Sequence, residues 1–128
     1  MMMIMPKRER LTKAEILDRA SRVFDSSIRW LNWIGAPKAH RFVTECESNI
    51  IFEGADFYAH YKNFTLDIFV WYRDKVSTDD LLLEQKFEDK VREMGTFSKE
   101  CGYNSADTLF YSHYMFTLRE EMPTFNEE

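Results

Sequence analysis

The sequence predicts an α+β fold in which two long helices pack on a small antiparallel sheet of about three strands. Two segments place apolar residues three and four positions apart behind capping residues, as amphipathic helices do. Between them, an aromatic-rich stretch alternates its side chains between two faces, as strands do. Glycine and proline are scarce, with 4 and 3 residues, so short connections are expected. Helices that cover one face of such a sheet define the α+β class.

The first helix is predicted from residue 12 to residue 34. Thr12 and Glu15 have the spacing of a capping box, and Leu11 stands where a hydrophobic staple belongs. Gly35 is a natural stop. One face of this helix would be formed by the residues that recur at helical spacing, namely Ile16, Ala20, Val23, Phe24, Ser27, Ile28, Leu31 and Ile34.

The next segment, residues 37–47, fits two structures. A short helix is favoured because Pro37 suits a first helical position. A strand is the alternative, because Phe42, Thr44 and Cys46 alternate along the chain. A short strand ending at Gly54 is expected to follow.

Residues 57–75, which read FYAHYKNFTLDIFVWYRDK, predict a hairpin. A loop with an even residue count, Asn63–Phe64 or the safer Lys62–Thr65, separates its two faces cleanly. The core face would hold Phe57, Ala59, Tyr61, Leu66, Ile68 and Val70. The opposite face would hold Tyr58, His60, Asp67, Phe69, Trp71 and Arg73, with His60 directly across from Asp67.

The second helix is predicted over residues 77–94, with Ser77 or Thr78 as its cap and acidic residues near its positive end. The C-terminal segment, residues 105–121, is aromatic and fits either structure. Ser105 and Asp107 favour a helix at its start. Its aromatic and threonine content favours a strand, which would place Phe110, Tyr114, Phe116 and Leu118 on one face.

Composition and charge limit the classes of function. Of 128 residues, 45% are hydrophobic and 30% charged, which suits a globular domain. We expect residues 1–10 to be a flexible N-terminal arm and residues 11–128 to be a single α+β domain. The net charge of −5 disfavours sequence-independent binding to nucleic acid and to anionic membranes. No apolar stretch is long enough to span a membrane.

The cysteines and the first residues indicate a cytoplasmic protein. Cys46 and Cys101 are too few for a disulfide scaffold of this size. Apolar residues precede the charges at the N-terminus, which is the reverse of a secretory signal.

No motif for catalysis, a cofactor or a metal is present in the sequence. No His or Cys pair has the spacing of a zinc site. A Cys–His nucleophile has no marked base or oxyanion hole. His60 with Asp67 is the most specific arrangement: a carboxylate beside an imidazole could serve acid–base chemistry. A polar cross-strand pair on a solvated face is the simpler interpretation.

These observations favour a small binding or regulatory protein, such as an adaptor or inhibitor, over an enzyme. A phage or mobile-element accessory protein fits this profile. Aromatic residues with arginine are common interface anchors. The predicted partner-binding surface comprises Tyr58, Phe69, Trp71, Arg73, Trp30 and Trp33. The same aromatic face could stack single-stranded nucleic acid, and an uncovered patch is compatible with a homo-oligomer.

Overall fold

The computed structural model describes residues 11–24, 28–30, 39–55, 59–92 and 97–122, with the backbone alone at 28–30, 55 and 59. The helices are α1 (Lys13–Phe24) and α2 (Thr78–Val91). The strands are β1 (Ile28–Trp30), β2 (Arg41–Ala55), β3 (Ala59–Tyr72), β4 (Ser98–Asn104) and β5 (Leu109–Met122). The α+β class is confirmed. The predicted N-terminal arm lies outside the described residues.

The sheet is larger than the sequence predicts. Its five strands have the order β1-β2-β3-β5-β4. The four strands from β2 to β4 pair antiparallel, and β1 pairs parallel with β2 over three residues. The central strands β2, β3 and β5 are each 14 or 15 residues long, so the centre of the sheet consists of three long antiparallel strands.

The predicted capping box of α1 is confirmed. The Thr12 N–H donates to Glu15 Oε1 at 2.8 Å, and the Glu15 N–H donates to Thr12 Oγ1 at 3.2 Å. The predicted length is wrong, because α1 ends at Phe24 and Ile28–Trp30 forms β1. Pairing with β2 satisfies the backbone of this segment, and helical periodicity alone cannot reveal that a strand is available to pair with.

The helix favoured for residues 37–47 is also wrong. Residues from Arg41 onward form β2, and the alternation of Phe42, Thr44 and Cys46 is the one that the structure uses. Proline at the first helical position is a weak signal, and the long antiparallel pairing of this strand with β3 outweighs it.

The hairpin predicted within residues 57–75 does not form. Residues 59–72 are one strand, and the proposed loop residues Asn63 and Phe64 lie in its middle, paired to both β2 and β5. The core assignment of Leu66, Ile68 and Val70 is confirmed. Tyr61 faces the other way, because alternation continues unbroken through the position of the expected turn. Phe57 and Tyr58 lie outside the described residues.

The C-terminal segment is a strand from Leu109 onward, so the helix favoured for its start is wrong. Asn104 Oδ1 instead accepts from the N–H groups of Ala106 and Asp107, at 3.0 and 3.1 Å, and closes a turn between β4 and β5. The predicted strand face is confirmed by the burial of Tyr114, Phe116 and Leu118.

Both helices pack on one face of the sheet. Phe24 of α1 and Phe87 of α2 contact each other, with ring centroids 5.5 Å apart. Beneath them lies one apolar cluster, which includes Val43, Phe64, Leu66, Ile68, Val70, Tyr72, Tyr114, Phe116 and Leu118. Its burial supplies the main driving force for folding.

A buried carboxylate joins α2 to this face. Glu84 Oε2 accepts hydrogen bonds from the Tyr72 hydroxyl and, at 2.7 Å, from Ser112 Oγ. Glu84 Oε1 forms an ion pair with Lys99 Nζ at 2.9 Å. Burial, together with the hydrogen bond to Glu84, raises the pKa of Tyr72 far above its usual range. The phenol therefore stays protonated and donates.

The N-terminus of α2 depends on a second buried carboxylate. Asp80 accepts from the Ser77 N–H at 2.8 Å, while Ser77 Oγ accepts from the Asp80 N–H at 3.1 Å. His40 Nε2 and Arg41 Nη1 lie 2.8 and 2.7 Å from the same carboxylate. Burial alone would raise the pKa of Asp80, but hydrogen bonds from His40 and Ser77 outweigh it and lower the pKa to about 2.

Because the pKa of Asp80 is lower in the folded chain than its ordinary value of 3.8, its stabilisation is complete above that ordinary value. It is lost as the pH falls towards 2. We expect this group to contribute about 2 kcal/mol to the acid dependence of unfolding. Between pH 5 and pH 2, the free energy of unfolding of Asp80→Asn, measured in urea, should fall correspondingly less steeply than that of the wild type. Asp79→Asn, at the exposed neighbouring carboxylate, is the control. Equal slopes for wild type and Asp80→Asn would contradict the assignment.

Candidate functional site

The face of the sheet opposite the two helices, here called the far face, carries the aromatic residues that the sequence singled out. It is formed by Phe42, Thr44 and Cys46 of β2, Asp67, Phe69 and Trp71 of β3, and Leu109, Tyr111 and His113 of β5. The rings form a continuous row. Phe69 stacks on Trp71 with centroids 5.2 Å apart, and Tyr111 packs against both.

Trp71 is held in the middle of this row. Its indole N–H donates to Thr44 Oγ1 at 2.9 Å, and its ring stacks on Phe42. With Phe42 and Leu109 it forms a second apolar cluster, in which Trp71 is only 6% exposed. A side chain buried to this extent offers a partner little area. It stabilises the far face from within.

Asp67 and His113 form the polar end of the far face. His113 Nε2 lies 2.7 Å from Asp67 Oδ1, and Ser48 Oγ donates to Asp67 Oδ2 at 2.6 Å. The imidazole stacks on Phe69 with centroids 4.0 Å apart. A carboxylate accepts in such a contact, so Nε2 of His113 is the donor to Asp67.

This pair has the geometry of an oriented imidazole, but the described residues supply no activated nucleophile beside it. Ser48 donates to Asp67 and not to His113. Cys46 Sγ lies 4.0 Å from Asp67. Burial, and then the charge of Asp67, raises the pKa of the Cys46 thiol. A thiol held protonated is a poor nucleophile, so the pair orients polar groups without completing a Cys–His site.

The predicted pairing of His60 with Asp67 is wrong. His60 lies opposite Gly54 and Met122, whereas Asp67 lies opposite Cys46 and Met115. Seven residues of one continuous strand separate them, about 23 Å at about 3.3 Å per residue. An odd separation also places them on opposite faces. The imidazole that contacts Asp67 is that of His113.

The other residues of the predicted partner-binding surface are only partly described. Tyr58 and Trp33 lie outside the described residues, and Trp30 is described by its backbone alone. Arg73 is half-buried after β3, where its N–H donates to the His40 carbonyl at 2.8 Å. The structure thus brings Phe69 and Trp71 together. Whether these residues meet a partner stays a prediction.

Three apolar side chains of β2 are more exposed than the aromatic row of the far face. Ile50, Ile51 and Phe52 follow one another in β2 and are 45%, 62% and 63% exposed. The pairing of β2 with β3 shifts register between Ser48 and Ile51, and Asn49 adopts a φ of 51° there. Such a bulge re-aims the side chains that follow it. In the sequence, three consecutive apolar residues after an asparagine were the available signal.

Within the part of the chain that the structure describes, the same segment of β2 has a backbone edge without a neighbouring strand. β1 pairs only with Val43–Glu45, and no other described strand pairs with Cys46–Ala55 on the side away from β3. We call Cys46–Ala55 the β2 edge. Unpaired N–H and C=O groups along a strand are a template for another strand.

The charges near the β2 edge are neutralised within the chain. Glu47 accepts from Lys13 at 2.7 Å and from Lys62 at 2.6 Å. Burial alone would raise the pKa of Glu47, but these hydrogen bonds outweigh it and lower the pKa. Glu53 pairs with Arg119 at 3.1 Å. Glu47 and Glu53 are therefore neutralised by their partners and would not repel an approaching strand.

Comparison with known proteins adds no functional assignment. No family model matches the chain, and no curated protein matches it. Across the described ranges, no three His, Cys, Asp or Glu side chains converge as a metal site would require. None of the helices that the structure describes is long and apolar enough to cross a membrane.

Proposed function

We propose that this protein binds another protein, by adding an extended segment of that partner to the β2 edge. The observation that carries the proposal is the coincidence of three exposed apolar residues with a strand edge that no other described strand pairs with. Each feature alone is common on protein surfaces. Together they provide main-chain hydrogen bonds for affinity and apolar side chains for specificity, as in strand addition.

The position of the side chains supports an occupant that contacts both sides of the sheet. Ile51 lies opposite Asn63 and points to the far face, whereas Phe52 lies opposite Lys62 and points to the helix side. An added strand would cover both at once. The partner segment would therefore be apolar at successive positions. It needs no matching charges, because Glu47 and Glu53 are already paired.

The two exposed leucines on α2 provide a matched comparison. Leu81 and Leu82 are 54% and 61% exposed, but the backbone of a helix is satisfied internally and cannot accept a strand. Exposure is thus nearly equal at Phe52 and Leu82, while the availability of backbone hydrogen bonds differs. This difference separates strand addition from non-specific apolar contact.

The experiment selects short extended peptides against the purified chain from a displayed library and titrates the selected peptides in solution. Phe52→Lys should weaken peptide binding at least about tenfold, as for a central interface residue. Leu82→Lys should bind like the wild type. Both positions are exposed, so neither change should shift the free energy of unfolding by more than about 0.5 kcal/mol.

Amide hydrogen exchange identifies the binding mode. Amides within Cys46–Ala55 should become protected when the peptide binds, because they gain hydrogen-bond acceptors. Equal loss of binding in Phe52→Lys and Leu82→Lys, or protection elsewhere, would contradict strand addition. Self-association of the free chain that Phe52→Lys abolishes would show that a second copy occupies the edge.

A further inference from the structure

The two helices flank an open groove that is independent of the β2 edge. It has a volume of about 750 Å³ and lies between the exposed sides of α1 and α2. Its lining residues are Asp18, Arg19, Arg22, Val23, Lys86, Asp89 and Lys90. The volume falls within the range of small-molecule sites. The strand edge, the far face and the buried carboxylates involve none of these residues.

The groove is cationic in a chain whose net charge is −5. Its lining holds four basic and two acidic residues. Both carboxylates have cationic neighbours on their own helix. Asp18 pairs with Arg22 at 3.0 Å, and Asp89 lies 3.6 Å from Arg92.

Both lysines of the groove are available to a ligand. Lys86 and Lys90 form no ion pair with any residue that the structure describes. They are separated by one helical turn, which places their Cβ atoms about 6 Å apart on the same side of α2. Both therefore project into the same groove.

The opposite wall positions a guanidinium. Arg19 of α1 donates from Nη1 to the Lys90 carbonyl in the last turn of α2. This hydrogen bond ties the two helices together and holds the planar group at the groove. Guanidinium groups bind phosphate oxygens in a fork, and ammonium groups bind them as point charges.

We propose that this groove binds a small molecule that carries two or more phosphate groups. Arg19, Lys86 and Lys90 bind its oxygens, and Val23 forms the apolar floor. A small ligand is favoured over a nucleic acid strand, because these cations are confined to one groove and the remainder of the acidic chain would repel a long polyanion.

The test titrates the full chain with inorganic pyrophosphate at low salt and follows binding by calorimetry and by amide shifts of α1 and α2. Lys86→Gln and Lys90→Gln should each weaken binding by about fivefold or more, the effect of losing one charge-assisted hydrogen bond to a phosphate oxygen. Lys75→Gln removes the same charge at an exposed position outside the groove and should stay within about twofold of the wild type. Unchanged urea unfolding curves would show that all three variants are folded.

Two further titrations compare pyrophosphate with a single phosphate and with a nucleic acid. Inorganic phosphate should bind more weakly than pyrophosphate, because it engages fewer of the cations. A short single-stranded oligonucleotide should bind no more tightly than pyrophosphate. The proposal is overturned if pyrophosphate does not bind, if Lys75→Gln weakens it as much as Lys86→Gln does, or if only the oligonucleotide binds.

Discussion

Replacing Trp71 by alanine should lower the free energy of unfolding by about 3–5 kcal/mol, as expected for a buried aromatic truncation. Trp71 is 6% exposed and packs among Phe42, Phe69, Tyr111 and Leu109. The substitution also removes the donor to Thr44 Oγ1. It therefore combines a cavity with a lost buried hydrogen bond. Urea unfolding followed by far-ultraviolet circular dichroism measures the effect.

Two variants separate the parts of the Trp71 effect. Trp71→Phe keeps a ring and loses the indole donor, so it should cost about 1–2 kcal/mol. Phe52→Ala truncates an aromatic side chain that is 63% exposed, and it should change stability by less than about 0.5 kcal/mol. If Trp71→Ala unfolded like the wild type and abolished partner binding, the far face would be an interface and our assignment of Trp71 to the interior would fail.

Replacing Glu84 by alanine should have a comparable effect, about 3–5 kcal/mol, because it breaks a buried pair and leaves its partners uncompensated. The hydroxyls of Tyr72 and Ser112 would lose their common acceptor, and Lys99 would lose one of its two carboxylates. Burial alone would lower the pKa of Lys99, but the hydrogen bonds that Lys99 donates to Glu88 and Glu84 outweigh it and raise the pKa.

Glu84→Gln keeps an acceptor for Tyr72 and should lose less stability than Glu84→Ala. Adding Tyr72→Phe to each variant forms a double-mutant cycle that isolates the contact between the two side chains. Gln85→Ala, at the exposed neighbour on α2, is the control and should change stability by less than about 0.5 kcal/mol. Additive effects of Glu84→Ala and Tyr72→Phe would show that this hydrogen bond does not couple α2 to the sheet.

Local signals predicted those parts of the fold that local interactions form. The cap at Thr12 and Glu15 and the start of α2 at Ser77 are contacts between residues three positions apart, so both are visible in the sequence. The inward face of Leu66, Ile68 and Val70 follows from alternation within one strand. These predictions hold although the predicted hairpin does not.

The errors occur where two local signals compete. Residues 41–47 and 109–121 have patterns that fit helix or strand, and each became a strand because long neighbours pair with it. Asn63 suits a turn, yet β2 and β5 bind the backbone on both sides of it. Backbone pairing over a long ladder outweighs the turn preference of one residue.

The candidate sites depend even more on chain topology. Asp67 could be selected from the sequence, but its partner His113 is 46 positions away. Among the described strands, the β2 edge lacks a neighbour because β1 pairs with only three residues of β2. The cationic groove requires α1 and α2 to be adjacent. No pattern within a single segment encodes any of these relations.

The α+β class, the two helix starts and the alternating faces of the central strand could all be predicted from the sequence. They depend on helix capping and on hydrophobic periodicity, which involve residues only a few positions apart. Only the folded chain shows that Trp71 is buried and that Asp67 meets His113. It also shows that Ile50, Ile51 and Phe52 are exposed on an edge that no other described strand pairs with. Burial and strand pairing depend on contacts between segments that are distant in the sequence, and these contacts form cooperatively when the chain folds.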